Sequence, residues 1–245
     1  MEASTNKLPI KTGRLSTNLS LPMSLLPRYI HIVNPKLKHI YLTFNEDGEL
    51  VIKSPKVSQK QIEQLLLKKS SWITNARKKF ETKKGKRIDF SKEAELYFLG
   101  ESHLLELIPY EKKRTKLTFD GDRFTLYYST YNEILFQRHI DQFYKEEAKN
   151  YVPALVEQWA ETMHLKVNKI RFRKTKRQWG SCSAKNDLSF NTMMMKLPLD
   201  VIQYIVVHEL AHIKHKHHQK AFWAFVAQYL PEYKTQVKEL KNFTT

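Results

Sequence analysis

Apolar and polar residues alternate along residues 38–53. Ile40, Leu42 and Phe44 occupy every second position, a turn sequence ending in Gly48 follows, and a second apolar run returns directly after it. Alternation on both sides of a turn is typical of two antiparallel strands. Residues 38–53 are therefore predicted to form a β-hairpin.

A helix and four short strands are predicted to follow the hairpin. Apolar residues recur every three or four positions between Ser58 and Phe80, which is the spacing of an amphipathic helix. Four later runs have the length and composition of strands, at 95–99, 103–108, 116–119 and 124–128. Residues 28–130 are thus expected to form a β-rich module with one helix. Residues 1–27 show no period and are expected to be a poorly ordered leader.

The pattern changes at residue 131. Apolar residues then recur at helical spacing over about thirty positions, and Pro153 is expected to kink or split this helix. Two strands joined by a turn are predicted next, over 167–177 and 188–197. The change of period marks the predicted domain boundary, so residues 131–245 form a second domain and the chain as a whole is of the α+β class.

The first of these two strands carries much positive charge. Ile170 and Phe172 alternate with Lys169, Arg171 and Arg173, so that one face of the strand is apolar and the other is cationic. The whole chain has 42 Lys and Arg against 25 Asp and Glu, a net charge of +17. Such an excess favours nucleic acid or other polyanions as partners, although a basic surface alone specifies no partner.

The motif H-E-x-x-H lies in a stretch of eleven residues that holds five of the ten histidines. Residues four apart lie on one face of a helix, so His208 and His212 can present two imidazoles to one metal ion. Glu209 projects about 100° around the axis, where it can accept a proton from a metal-bound water. Apolar residues at 201–207 indicate a buried helix rather than a histidine-rich surface, and Asp200 is predicted to cap its start.

Composition restricts the compartment. Cys182 is the single cysteine, so no intramolecular disulfide can form, which suits a reducing environment. No run of eighteen apolar residues occurs, so no transmembrane helix is expected. The apolar stretch at 19–26 is too short and too interrupted by proline for a signal peptide. These features predict a cytoplasmic protein without membrane attachment.

Three motifs occur in a fixed order. R-x-R-x-x-x-x-Q-W-G-S-C-S spans 171–183, V-V-H-E-L-A-H spans 206–212, and H-x-x-x-F-W spans 218–223. Together they resemble the YgjP-like metal-dependent hydrolases, which are zincin-type HExxH metallopeptidases related to the SprT-like proteases. The resemblance covers roughly residues 28–230. It implies a zincin-like catalytic domain, with a small sheet packed on the HExxH helix, and metallopeptidase activity with one zinc ion per chain.

A catalytic zinc site normally has three protein ligands and one water. The residues able to supply the third ligand are His215, His217, His218, Glu232 and Glu239. His215 would share a helix with the first two ligands and strain the tetrahedral angles, whereas Glu232 matches the glutamate ligand of other zincins. His218 lies six residues past His212, the spacing of the extended zincin motif with His215 in place of its glycine. His215 can still form the turn, because histidine tolerates left-handed geometry better than most residues. The resemblance also points to His218.

The predicted function is that of a zinc-dependent hydrolase, most simply a metallopeptidase. His208, His212 and His218 would hold the zinc, and Glu209 would act as general base on a zinc-bound water. One segment is predicted to line the substrate cleft: Arg177, Gln178, Trp179, Gly180, Ser181 and Cys182. Gly180 allows close backbone approach, and the strand offers an edge to which a protein or peptide substrate can add.

The alternative function is nucleic-acid binding, alone or combined with proteolysis of DNA-associated proteins in the manner of the SprT-like proteases. The basic stretch 169–177 runs directly into the predicted cleft and would provide the interface. Cys182 also has two interpretations, as a small buried hydrophobe or as an exposed thiol near the metal. The pattern does not specify an oligomeric state.

Overall fold

The computed structural model describes residues 26–45, 48–83, 88–91 and 93–244. The predicted leader therefore lies almost wholly outside the described residues, as do the centre of the hairpin turn and residues 84–87. The chain divides into two compact units, Met1–Arg77 and Lys78–Thr245.

The first unit is a three-stranded sheet with helical cover. Its strands are β1 (Tyr29–Val33), β2 (Tyr41–Phe44) and β3 (Leu50–Ser54), in the order β1-β3-β2. The pairing of β2 with β3 is antiparallel, which confirms the predicted hairpin. Two helices follow, α1 (Gln59–Lys68) and α2 (Ser70–Glu81).

The single helix predicted between Ser58 and Phe80 is interrupted at Lys69. Ser58 caps α1 with a reciprocal pair of hydrogen bonds to Gln61, as a helix start at this serine requires. The buried residues Leu66 and Ile73 lie seven positions apart across the break. That spacing also fits a continuous helix, so the hydrophobic period could not reveal the interruption.

The second unit begins with a four-stranded sheet. Its strands are β4 (Ala94–Phe98), β5 (Glu101–Pro109), β6 (Lys116–Phe119) and β7 (Phe124–Tyr128), in the order β4-β5-β7-β6. These are the four strands that the sequence predicts, with ends shifted by no more than two residues. The turn between β6 and β7 is fixed by Asp120, whose carboxylate accepts hydrogen bonds from two backbone amides.

The long helix α3 (Glu133–Thr162) covers this sheet and runs through Pro153 without a break in the helix. Phe124 of β7 and Phe136 of α3 are fully buried in one hydrophobic core. The division predicted between residues 130 and 131 thus passes through a shared core, and the compact units separate after Arg77 instead. The strands need α3 to cover their apolar face.

A second small sheet follows α3. It consists of β8 (Lys169–Arg173), β9 (Gly180–Cys182) and β10 (Asp187–Asn191), in the order β8-β10-β9. The strand predicted over 188–197 was too long, because β10 ends at Asn191 and a 3₁₀ turn, Thr192–Lys196, continues the chain. The Asn191 side chain accepts a hydrogen bond from the Met193 amide and so begins that turn.

Three helices complete the chain, α4 (Leu199–Lys214), α5 (Lys220–Tyr229) and α6 (Tyr233–Leu240). The expected α+β class is confirmed: mixed helices and small sheets, with β9 lying against the HExxH helix α4. The predicted cap was wrong, because Pro198 is the residue that precedes α4, and the Asp200 carboxylate accepts hydrogen bonds from the adjacent Val201 amide and from the Gln236 side chain instead. None of the described helices is long and apolar enough to cross a membrane.

The start of α4 is fixed by the turn between β4 and β5. The amides of Leu99 and Gly100 donate hydrogen bonds to the carbonyls of Met195 and Lys196. Gly100 has φ +94°, and a Cβ there would lie 2.8 Å from the Pro198 side chain. Only glycine suits both the backbone angle and the space, so this turn holds the beginning of the HExxH helix against the large sheet.

Candidate metal centre

Three imidazoles converge on one side of α4. His208 and His212 lie one helical turn apart, and His218 reaches them from the loop before α5. One ring nitrogen from each lies within 4.8 Å of the others, and the Nε2 atoms of His208 and His218 are 2.9 Å apart. The structure thus brings together the three histidines that the sequence selects as metal ligands.

The chain returns to the site without a left-handed residue. His215 ends α4 with φ −126° and ψ 99°, which is extended backbone, so the chain turns there without the left-handed geometry that a histidine can adopt. Its amide still bonds to the Ala211 carbonyl, and α5 begins five residues later. An extended residue at the helix end turns the chain away from the axis and leaves His218 beside His208.

Phe222 forms the floor of the cluster. It is fully buried, and its ring centroid lies 4.6–5.0 Å from those of all three imidazoles. Phe222 lies in the first turn of α5. The docking of α5 therefore also determines where the three imidazoles lie. The rings are therefore held by packing as well as by the chain path.

The remaining ring nitrogens of the α4 histidines have partners. His212 Nδ1 lies 3.1 Å from the His215 carbonyl oxygen, which can only accept, so Nδ1 carries the proton and Nε2 is free. His208 Nδ1 lies 3.2 Å from the Tyr204 hydroxyl oxygen. Such contacts fix the ring orientation and leave a lone pair for a metal.

An aromatic column extends from His218 across α5 to α6. The His218 ring stacks on Trp223 at 5.5 Å, Trp223 stacks on Tyr233 at 5.4 Å, and Tyr233 stacks on Tyr204 at 6.5 Å. The column ends on the residue that contacts His208. The sequence places Trp223 in the H-x-x-x-F-W motif, whereas Tyr233 lies fifteen residues beyond His218 and outside the three motifs.

The electrostatic environment favours neutral imidazoles. Burial, together with the neighbouring His212 and His218, lowers the pKa of His208 to about 3. Burial also lowers the pKa of His212. Both rings are therefore neutral near pH 7, the form in which histidine binds metals.

The donor set fits a divalent transition metal. Three imidazole nitrogens are a typical zinc ligand set, and tetrahedral zinc separates such nitrogens by about 3.4 Å. The observed separations of up to 4.8 Å require only small side-chain movements. Among the described residues, no other group of three His, Cys, Asp or Glu side chains comes together in this way, and neither Glu232 nor His217 belongs to this one.

Glu209 lies buried beside the cluster. Glu209 is 6% exposed, and burial raises the pKa of its carboxyl group to about 8. No described residue donates a hydrogen bond to its carboxylate. The nearest chain is β9, where Gly180 lies directly against the Glu209 side chain. The close backbone approach predicted at Gly180 is confirmed, and it is directed at Glu209.

The six residues predicted to line the cleft do not share one surface. Gly180 pairs with Phe190, so both lie on the sheet face that packs on α4. Ser181 lies on the opposite face, where its hydroxyl accepts a hydrogen bond from Arg173 at 3.0 Å. Arg177 and Gln178 are exposed in the segment before β9, whereas Trp179 is half-buried and packs on the core.

Cys182 lies on the α4 side of β9 and is half-buried. Burial raises the pKa of its thiol, while the charge of Lys216 acts in the opposite direction. Lys216 also bonds to the Ser183 carbonyl and to Asn186, tying the loop after α4 to the turn between β9 and β10. The thiol is thus less reactive than an ordinary exposed cysteine.

Asn191 was missed by sequence reasoning. It is 1% exposed, and its side-chain amide donates hydrogen bonds to the carbonyls of Thr175 and Gln178. These bonds hold the segment that leads into β9. The only sequence signal was a polar residue at the end of an apolar strand.

The cations of β8 lie away from the metal centre. Lys169, Arg171 and Arg173 are exposed on the same sheet face as Ser181, which is opposite to the face on α4. Arg171 pairs with Asp187 at 3.1 Å. The basic strand therefore does not run into the cleft beside Glu209, as its sequence suggested, but forms a separate surface.

A three-histidine cluster and a buried glutamate on an HExxH helix define a metal-dependent hydrolase of the metallopeptidase class. The chain belongs to the YgjP-like family, since the family model described as "YgjP-like, metallopeptidase domain" matches residues 38–243. The predicted resemblance is confirmed, and the family implies a metal ion in the site.

Individual proteins match over shorter stretches. The chain is 39% identical over 56 residues to the UTP pyrophosphatase of Escherichia coli (strain K12); that stretch is 23% of this chain and about a third (34%) of the relative. Two solved structures are similar in part: the metallopeptidase zymogens of Pyrococcus abyssi abylysin and Methanocaldococcus jannaschii jannalysin. Their TM-scores are 0.33 and 0.32 at 25% and 21% identity. Both matches cover 35% of this chain. They cover 87% of the abylysin zymogen chain and 92% of the jannalysin zymogen chain.

Proposed function

We propose that this protein is a zinc-dependent peptidase in which His208, His212 and His218 hold the metal and Glu209 is the general base. The convergence of three imidazoles beside a buried glutamate carries the proposal. A bound zinc ion would supply Lewis acidity, lowering the pKa of water to about 7 and polarising the scissile carbonyl.

Glu209 is suited to moving the proton. Its carboxyl group has a pKa of about 8 through burial, so it can accept a proton and return one near neutral pH. No described partner occupies its oxygens. After accepting a proton at its carboxylate, Glu209 can deliver it to the leaving amine when the peptide bond breaks.

The free edge of β9 supports an extended peptide as substrate. The Asn191 amide bonds to the Trp179 carbonyl, and the Ser183 amide bonds to the Asp187 carbonyl. Because bonded pairs alternate in an antiparallel ladder, the backbone groups of Gly180 and Cys182 point to the other edge of the strand. No strand pairs with that edge among the described residues. A substrate strand added there would pass directly over Glu209.

The test uses an unfolded protein substrate with zinc-loaded wild type and its Glu209→Gln variant. We expect the wild type to cleave the substrate and the variant to lose about 10²- to 10⁴-fold in kcat while keeping its zinc. Full activity of the variant would remove Glu209 from the mechanism. An inactive wild type with stoichiometric zinc would remove peptides as substrate.

A second candidate reaction is hydrolysis of a nucleoside triphosphate at a phosphoanhydride bond. Two observations favour it: the 39% identity over 56 residues to a UTP pyrophosphatase, and the net charge of +17, which attracts anionic substrates. The same metal and Glu209 would activate water for attack on phosphorus. Assaying both proteins above with UTP separates the two: pyrophosphate release that depends on Glu209 supports the nucleotide reaction.

Nucleic acid remains a proposed partner rather than a substrate. The exposed face of β8, with Lys169, Arg171 and Arg173, supports binding of a polyanion apart from the hydrolytic centre. In a protease acting on DNA-associated proteins, this face would tether the enzyme, and added DNA would raise the rate of proteolysis.

A further inference from the structure

Gly180 lies closer to Glu209 than any side chain could. A Cβ atom built on Gly180 would be 2.6 Å from Glu209 Cγ, 2.7 Å from Oε1 and 2.8 Å from Cδ. Carbon atoms that are not bonded approach to about 3.5–4.0 Å. The backbone of β9 therefore occupies the space beside the carboxylate, and even a methyl group at position 180 would collide with it.

The backbone conformation at position 180 gives no other reason for glycine. Its φ lies outside the left-handed region that L residues avoid, unlike Gly121, which has φ +101° and nothing within 4 Å. Gly180 also sits in a regular strand, paired with Phe190 of β10. Gly180 is the first residue of β9, and glycine loses more chain entropy than other residues when a strand forms, so proximity to Glu209 is the feature that explains it.

Glu209 has little room to avoid such a collision. It follows His208 on α4, and the neighbouring residues Val206, Val207 and Leu210 are fully buried. The helix cannot move away without disturbing His208 and His212. A side chain at position 180 would have to turn the carboxylate instead, away from the rotamer it has beside the imidazoles.

We propose that Gly180 is a positioning residue: the bare backbone of β9 fixes the conformation of the Glu209 side chain beside the three histidines. The proposal deepens the function above and rests on it for its catalytic meaning, but the steric coupling of positions 180 and 209 can be measured without any substrate.

A double-mutant cycle on the full-length, metal-free chain measures that coupling through the midpoint of thermal unfolding. We expect Gly180→Ala to lower Tm by about 5 °C in the wild-type background because overpacking is destabilising. In the Glu209→Ala background the same change should leave Tm unchanged or raise it, since the space is then open and alanine restricts the unfolded chain. Ser189→Ala, in the same sheet on the opposite face, is the control for changes in strand composition and should give equal shifts in both backgrounds.

The cycle decides the steric proposal whether or not the single variant folds. If Gly180→Ala fails to fold but Gly180→Ala with Glu209→Ala folds, the coupling is supported in its strongest form. Equal shifts in the two backgrounds, or loss of folding in both, would overturn the proposal.

Activity and metal content then test the catalytic meaning. Gly180→Ala should bind zinc with unchanged stoichiometry and lose about 10²-fold in kcat, because a misplaced base keeps the metal but not the geometry. Shortening the base in Gly180→Ala with Glu209→Asp should recover part of that loss, although Glu209→Asp alone should be impaired. Activity in Glu209→Gln would disprove the proposed mechanism while leaving the unfolding cycle valid, so the two failures are distinguishable.

Discussion

The two faces of the β8-β10-β9 sheet differ sharply in chemistry. One face packs on α4 and carries Phe172, Phe190 and Gly180, the last against the buried Glu209. The other face is exposed and carries Lys169 and Arg171. The two faces of one sheet thus belong to a hydrolytic centre and to a cationic surface, two environments separated by the thickness of a single sheet.

This difference corrects a simple interpretation of the sequence. The basic residues precede Gly180 closely in the chain, so they suggest one continuous substrate surface. The alternation of a strand separates them instead, and any polyanion bound by the cations approaches from the side opposite Glu209. Binding of a polyanion and hydrolysis should therefore respond independently to mutation.

Among the changes to the α4 face of the sheet, removing the metal should lower the rate of hydrolysis most. Treating the enzyme with a chelator is expected to bring hydrolysis down to the uncatalysed level, because the chain offers no other Lewis acid in the cluster. Adding back zinc should restore activity. The measurement is the rate on unfolded protein and on UTP before chelation, after it and after reconstitution; activity that survives complete metal removal would contradict the site.

Removing the base should be the next largest effect. Glu209→Gln keeps the size of the side chain but cannot accept a proton, so kcat should fall about 10²- to 10⁴-fold with metal content unchanged. Metal analysis beside steady-state kinetics checks both parts. Loss of zinc in this variant would mean that Glu209 acts through the ligands rather than on the substrate.

Removing the partner of a ligand should have an intermediate effect. Tyr204→Phe takes away the hydroxyl that contacts His208 Nδ1 and should weaken zinc binding about 10- to 100-fold. Competition with a chromophoric chelator measures the affinity. Tyr229→Phe on α5 is the matched control and should bind zinc as the wild type does.

Changes on the exposed face should have the smallest effect on hydrolysis. Lys169→Ala with Arg171→Ala is expected to leave kcat/KM on a peptide within about twofold, since both side chains lie opposite α4. If the face binds single-stranded DNA, the salt dependence of binding should weaken by a slope of about 0.7 per lost phosphate contact. A large fall in peptide hydrolysis would show that the two faces are coupled.

Local sequence patterns predicted the secondary structure well where a pattern is compatible with only one type of element. The strands at 116–119 and 124–128 were predicted to the residue, because short alternating runs there are bounded by an Asp-Gly turn. Met193, Met194 and Met195 are buried, but the sequence predicts them as part of the strand over 188–197. An apolar run does not reveal the hydrogen bond by which Asn191 starts a 3₁₀ turn.

The part of the site that depends on helix geometry was predictable from the sequence. The spacing of His208 and His212 places them on one face, and a motif spacing pointed to His218. The rest depends on contacts between distant segments. That Gly180 lies on Glu209, or that Tyr233 stacks in the column leading to His218, follows from sheet register and helix docking, for which a single sequence carries no signal.

The zinc content of His218→Ala, measured beside that of His217→Ala, tests the central claim most directly. The two histidines are neighbours in the same exposed loop, but only His218 reaches the cluster. We predict about one zinc per chain for the wild type and for His217→Ala, and loss of stoichiometric zinc for His218→Ala. Stoichiometric zinc in folded His218→Ala would contradict the three-histidine site.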